Sequence, residues 1–272
     1  MSYVEKVLER YDDTPFTAWF DHFSEGHIHL GYWPKEREDQ TFAEAARQLT
    51  GILMDKLDVK KDHRVLDAGC GVYAGPAIQL AKEKECEVAG ITLEELAGQI
   101  VPERAASEGV EQKVRVHTGN AEKIPFNDQS FDRAWMIEML VHIPDKDAVL
   151  REVHRTLKPG GKIVIADFPA GENFSPENEW ISGNYFIPIS FTEFKEMLGD
   201  IGFEVLSEED YNETVALPTF QKILNIAKEN PEKVKEVAGE DMYQVTTESV
   251  PSGIEAHKNR VLTYGIFEAR KV

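Results

Sequence analysis

Residues 65–75 read VLDAGCGVYAG, an apolar run that ends in an acid and then turns through glycines. A buried strand entering a glycine turn and then a helix is the opening unit of a parallel α/β sheet. The chain around it keeps that rhythm. Strand-like HRVLDA (63–68) is followed by a helix from about Gly75, EVAGIT (87–92), a helix over EELAGQIVPERAASEG (94–109), KVRVHT (113–118) and SFDRAWMIE (130–138). A helix over DKDAVLREVHRTL stops at Lys158-Pro159-Gly160-Gly161, and KIVIADF (162–168) continues as strand. Upstream, Phe42, Ala45, Ala46, Leu49, Ile52 and Leu53 share one face of an amphipathic helix over 41–57.

Beyond Phe168 the rhythm changes. Residues 169–188 are rich in Pro, Gly, Asn and aromatics and read as a long loop. A helix (FTEFKEMLGDIG), a strand (FEVLSEEDY), a mostly helical charged stretch over about 216–255 and a last strand (NRVLTYGIFEA) follow. The expected fold class is α/β: a Rossmann-like, doubly wound seven-stranded sheet with an N-terminal helical lid and a helical cap inserted before the last strand. The expected division is a lid over 1–60, a core over 61–215 and 256–272, and a cap over 216–255.

Charge excludes some partners. The 272 residues carry 30 Lys and Arg against 49 Asp and Glu, a net charge of −19, so the general field repels nucleic-acid backbones and anionic membranes. No nucleic-acid or membrane partner is expected. The only cysteines, Cys70 and Cys86, form no disulfide framework, which fits a reduced cytoplasmic setting. The N-terminal MSYVEKVLERYDD lacks the pattern of a signal segment, so an unprocessed chain is expected.

Two cofactors compete for a strand–glycine–helix unit. A dinucleotide site wants Gly-x-Gly-x-x-Gly and an acid at the end of the second strand, for a pyrophosphate and a ribose. Here Gly69 and Gly71 are followed only by Gly75, and the second strand ends Gly90-Ile91-Thr92-Leu93 with no acid before Glu94. Asp67, directly before the glycines, instead suits a cofactor with a cationic amino-acid tail and no phosphates. A nicotinamide oxidoreductase is disfavoured accordingly.

The motifs VLDAGCG, GITLEE, GNAEKIPFNDQSFDRAW and LREVHRTLKPGGKIVIADF, in that order, resemble those of class I S-adenosylmethionine-dependent methyltransferases. The resemblance covers roughly 62–168. It is nearest to the small-molecule group of natural-product and quinone methyltransferases, which share the His27-Ile28-His29-Leu30-Gly31-Tyr32-Trp33 element. By resemblance, Asp67, Gly69, Cys70 and Gly71 face the methionine tail and ribose of the cofactor. Thr92 and Leu93 flank ribose and adenine, Asn120, Ala121 and Glu122 lie at the adenine edge, Ile137 and Glu138 lie near the tail, and Tyr11 and Trp33 belong to the lid. Tyr73 at the third-glycine position, Asn120 for the usual Asp, and Ala97 for a ribose-facing Gln depart from the pattern, with Gln99 as a candidate to compensate.

Methyl transfer is an in-line displacement in which positioning dominates, and a base matters only where the acceptor bears a proton of high pKa. His142, in MLVHIPD after the fourth strand, is the candidate base; the alternative is a histidine that closes the turn on backbone. The family's paired histidine is Val141 here. Asp167, at the end of the fifth strand, either assists His142 or caps a loop. His27 and His29 alternate on an extended segment, but no third ligand follows, and no metal is expected. His63, His117, His154 and His257 receive no role. Trp180, Tyr185, Phe186, Phe191 and Phe220 are candidates for an apolar acceptor pocket, without the clustered Arg a diphosphate needs.

The expected activity is methyl transfer from S-adenosylmethionine to a hydroxyl of a natural product, sugar or phenol, by a monomer or homodimer. Carbon or nitrogen acceptors, such as a quinone or isoprenoid, form the alternative, and a cofactor-binding scaffold that has lost catalysis forms the non-enzyme reading.

Overall fold

The computed structural model describes residues 3–11, 14–37 and 39–272. Among them β1 (Arg64–Ala68), β2 (Glu87–Thr92), β3 (Val114–Thr118), β4 (Phe131–Ile137), β5 (Leu157–Asp167), β6 (Phe203–Asp210) and β7 (Gly265–Lys271) form one sheet, ordered β3-β2-β1-β4-β5-β7-β6. The strands from β3 to β5 run parallel, and β7 lies antiparallel between β5 and β6. This is the doubly wound sheet that the alternation implies. The chain leaves β1 in one direction and β4 in the other, so a crevice opens at the carboxyl ends of these two strands.

Helices cover both faces, which is why the central strands are apolar on both sides. Val65, Trp135, Val164 and Ile266 pack with Leu49, Leu53, Leu80 and Val101 of α3 (Phe42–Leu57), α4 (Gly75–Lys84) and α5 (Ala97–Ser107). On the other face Leu66, Met136, Ile165 and Phe267 meet Leu150, Val153, Phe194 and Leu198 of α6 (Lys146–Thr156) and α8 (Phe191–Ile201). Burying one such Leu or Ile fully contributes about 1.5–3 kcal/mol. Capping sets where these helices begin: Thr41 with Glu44 for α3, Asp145 for α6, and Ser190 with Glu193 for α8.

Three boundaries differ from the sequence reading. Helix α5 starts at Ala97 rather than Glu94, because Glu94 turns inward and is buried. Strand β5 reaches back to Leu157 through the Pro-Gly-Gly turn. Strand β7 starts only at Gly265, since residues 259–264 form a turn in which Leu262 bridges to Ala170.

Two groups of helices stand at the crevice end. The long loop after β5 holds α7 (Glu179–Gly183), and α9 (Leu217–Glu229) and α10 (Pro231–Lys258) precede β7, with α10 broken at Gly239 (φ 82°). N-terminal α1 (Tyr3–Tyr11) and α2 (Pro15–Ser24) come first in the chain, and Trp19 and Phe20 of α2 cluster with Ile223, Val234 and Ala238 of α9 and α10. The extended strap of residues 27–33 joins α2 to the sheet.

The displaced glycine now has a reason. A Cβ at Gly75 would lie 2.6 Å from the Gly26 carbonyl oxygen, so only glycine lets the strap pass the start of α4. Tyr73, at the usual glycine position, lies 5.2 Å beneath the Arg104 guanidinium, which in turn binds Asp21 (2.5 Å) and the Glu25 carbonyl (2.9 Å) at the end of α2. Gly75→Ala therefore forces backbone apart: urea unfolding should show a loss of about 1–3 kcal/mol, and an unchanged midpoint would mean the strap is not held there.

Candidate active site

The crevice contains a cavity built from strand ends. Asp67 closes β1, and Gly69 (φ 88°), Cys70 and Gly71 (φ 69°) turn beneath it in the left-handed region that glycine tolerates. Thr92 and Leu93 line it from the end of β2, Asn120 and Ala121 from the loop after β3, and Ile137 and Glu138 from the end of β4. Tyr11 and His142 complete the set. Twelve of the residues singled out from the sequence, ten for the cofactor with Tyr11 and His142 added, thus share one wall.

Three do not. Trp33 donates its indole N–H to Thr219 Oγ1 (2.8 Å) and packs on Phe42, anchoring the strap to α9 away from the cavity. Glu122 turns back on its own loop, where its carboxylate accepts from Asn120 Nδ2 (3.1 Å) and its amide donates to Asn120 Oδ1 (2.9 Å). Asp167 lines neither this cavity nor its neighbour. Its oxygens accept from the amides of Val141 (3.2 Å) and Phe168 (2.8 Å), so it caps the loop instead of orienting His142.

Sequence reasoning missed Glu94. It is buried and lines the cavity two residues beyond β2, where an acid can meet ribose hydroxyls. The signal was present but was discounted for falling past the strand end. Gln99, the candidate compensator, is exposed on α5. Ile28 and His29 of the strap and Met139 also line the cavity and were not singled out for it.

Burial governs the titration of this site. Asp67 is pushed up to about 7 by loss of water, and its buried Oδ2 has no hydrogen-bond partner. Glu138 is pushed up to about 8 for the same reason, against the lowering effect of its hydrogen bonds. Its Oε1 accepts from the Leu30 amide (2.8 Å) and the Tyr264 hydroxyl (2.9 Å), so one carboxyl ties the strap to β4 and to the approach of β7. Glu138 holds this place with a left-handed backbone (φ 53°).

His142 is nearly enclosed. Burial lowers its pKa to about 3, opposed by a hydrogen bond to the Tyr185 backbone, and Tyr11 Oη lies 2.9 Å from Nε2. In the tautomer with the ring proton on Nδ1, Nε2 is the acceptor and Tyr11 donates. The strap histidines are fully engaged: His27 with Ser24 O and Gln79, His29 with Leu30 O and Thr50. Among the described residues no group of three or more His, Cys, Asp or Glu is arranged to hold a metal, and no helix is long and apolar enough to cross a membrane.

A second cavity of about 370 Å³ lies next to the first and shares Tyr11, Ile28, Glu138 and His142 with it. Aromatics from α2, the post-β5 loop and α9 surround it, including Phe16, Trp180, Phe186 and Phe220. Of the aromatics expected at the acceptor face, Tyr185 and Phe191 fall outside this lining.

A crevice at the switch point of a doubly wound sheet, with an acid before its glycine turn, is the arrangement of a cofactor-dependent α/β protein. Residues 66–165 match the methyltransferase domain family. The chain is 33% identical over 192 residues to the 27-O-demethylrifamycin SV methyltransferase of Amycolatopsis mediterranei, covering 68% of this chain and 70% of that one. It is 41% identical over 140 residues to methyltransferase GfsG of Streptomyces halstedii, a match spanning 52% of this chain and half the length of that relative. A putative sarcosine dimethylglycine methyltransferase from Galdieria sulphuraria shares the fold over 99% of this chain and 98% of its own, with a TM-score of 0.85 at 18% identity. The chain belongs to the class I S-adenosylmethionine-dependent methyltransferases.

The site fits that cofactor on its own observations. Asp67 Oδ2 is a buried oxygen without a partner, and a Cβ at Gly71 would meet only Ile28, at 3.6 Å.

The raised carboxyls make stability depend on pH. From about pH 4 to 8 the folded chain keeps protons on Asp67 and Glu138 that the unfolded chain has lost, so stability falls as pH rises. His29, His142 and His257, each lowered to about 3, act oppositely, but only below their ordinary value of 6.5. The ligand-free protein should therefore melt at a lower temperature at pH 8 than at pH 6.5. Asp67→Asn with Glu138→Gln should flatten that difference in scanning calorimetry; a slope that survives both changes refutes the assignment.

Proposed function

We propose that this chain transfers a methyl group from S-adenosylmethionine to a hydroxyl of a small-molecule acceptor. The observation that carries the reading is the Tyr11–His142 hydrogen bond, which stands where the two cavities meet. One cavity takes the cofactor and the other takes the acceptor, and the reacting atoms meet beside His142 Nε2. The helices before β7 and the N-terminal helices serve as cap and lid over the acceptor.

Bound S-adenosylmethionine supplies an electrophilic methyl group on a cationic sulfur. Asp67 and Glu138 face the charge of its amino-acid tail, Glu94 the ribose, and Asn120 and Ala121 the base. Closing the strap on Glu138 excludes water from the meeting point. A hydroxyl that took this methyl as the carbon–sulfur bond broke, leaving a neutral thioether, would carry positive charge and a strongly acidic proton. A weak base therefore suffices. His142, neutral at any pH above about 4, receives this proton at Nε2, either directly or across the Tyr11 hydroxyl. A tertiary nitrogen sheds no proton on methylation and has no need of such a pair, whereas a hydroxyl must lose one.

Cofactor uptake requires Asp67 ionised. Its affinity should thus rise about tenfold per pH unit below pH 7 and level off above, with about one proton released on binding. Calorimetry in buffers of different ionisation enthalpy reads that proton, and binding with no pH dependence argues against Asp67 as the counter-charge. Asp67→Asn should bind weakly at every pH.

His142→Ala should lower kcat on an alcohol acceptor by about 10²–10⁴, with part of the loss recovered at high pH. Its cofactor affinity should stay within a few-fold, and Tyr11→Phe should give a smaller fall. Full turnover by His142→Ala removes the base; intact cofactor binding with no turnover by the native chain on any acceptor favours the non-catalytic scaffold.

A further inference from the structure

The second cavity carries information about its occupant. Its walls are aromatic from the reacting end outward. His142 meets Phe186 edge-on at 5.2 Å, Phe186 stacks on Phe168 at 5.3 Å, and Trp180 bridges Phe186 (5.6 Å) to Phe220 (5.5 Å). Phe16, Trp19 and Phe20 of α2 line it from the N-terminal side. A volume of about 370 Å³ sits at the small end of the roughly 300–1,000 Å³ range of sites for drug-sized molecules.

The mouth is charged with both signs. Glu9 of α1 and Asp241 of α10 are exposed lining residues, and Asp241, Val245 and Ser249 recur every four residues along the exposed face of α10. An anion entering between α1 and α10 meets these carboxylates in a chain already at −19. Arg10 is the one Arg or Lys among the described lining residues; its Nη2 is given to Asn184 Oδ1 (3.0 Å), and its buried Nε is left as a single donor without a partner. A phosphate or diphosphate finds no cluster of cations here, and the described residues hold no metal-binding cluster. A cation fares no better. The Arg10 guanidinium lies 4.6 Å from the Phe16 ring and 5.8 Å from that of Tyr11, so it occupies the aromatic faces that a quaternary amine would use and repels it.

Resting on the methyl-transfer reading of the same site, we infer that the acceptor is an uncharged, bulky apolar alcohol. Its hydrocarbon body fills the Phe16–Trp180–Phe220 cavity, and its hydroxyl reaches Tyr11 and His142. Anions are turned away by the acids at the mouth and cations by Arg10 on the aromatic faces, so selection is by size and neutrality.

The test uses the intact chain saturated with S-adenosylhomocysteine. Isothermal calorimetry compares farnesol and geranylgeraniol with the corresponding diphosphates and with trimethylammonium analogues of equal chain length. At least one neutral alcohol should bind ten-fold or more tightly than either charged form. Phe220→Ala should weaken that binding about ten-fold. Glu9→Gln with Asp241→Asn, at exposed positions, should narrow the gap to the diphosphate, and more so at low salt. Preferred binding of a diphosphate or an ammonium compound, or no binding of either alcohol, overturns the inference. The two proposals fail separately: absent binding of S-adenosylhomocysteine to the native chain counts against methyl transfer, whereas a bound cofactor product with no alcohol binding counts against the acceptor class alone.

Discussion

The buried Glu138 carboxyl joins three parts of the chain that come from distant stretches of the sequence. One of its oxygens receives an amide N–H from the strap and a phenol O–H from the residue before β7, while its own backbone amide donates to Ala166 at the end of β5. The N-terminal segment, the central sheet and the approach to the C-terminal strand thereby meet at one residue that lines both cavities. A neutral acid of raised pKa can hold two donors on one oxygen and still be buried, where a carboxylate without a nearby cation would not. Its left-handed backbone is the local strain this junction tolerates.

Around that junction the site keeps acids protonated until a cation arrives. Asp67 and Glu138 are isolated from basic side chains, in contrast to the surface, where Arg155, Lys158 and Lys162 are all paired with acids. Surface pairs of this kind contribute little each, about 0–1 kcal/mol. The buried acids are a different device. Leaving them without counter-charges costs stability in the ligand-free chain and makes cationic ligands the natural complement.

Much of this was legible because the core is periodic. Alternating strand and helix runs, the Pro-Gly-Gly stop and the glycine turn are local signals, and they located the sheet. Thr92, Asn120 and Ile137 came from the family resemblance, and the topology brings their strand ends and loops to one cavity. The misses share another cause. Glu94 is passed over because its place depends on a helix starting three residues late; Trp33 and Asp167, singled out for the site, turn instead to Thr219 and to two backbone amides chosen by tertiary packing, the latter matching the loop-capping alternative. Tyr73 read as a defect in the glycine turn until Arg104 was seen to lie on it.

The same distinction separates the two halves of the chemistry. Residues that meet the cofactor lie on strand ends and their loops, where a parallel sheet delivers them in fixed order. Those around the acceptor come from α1, α2, α7, α9 and α10, which belong to no repeating unit and pack chiefly against one another. His142 and Tyr11 are the exception, since one comes from the end of β4 and the other from α1. On the proposed reading, their hydrogen bond couples the turn after β4 to the N-terminal helices, so seating α1 and completing the base are one event.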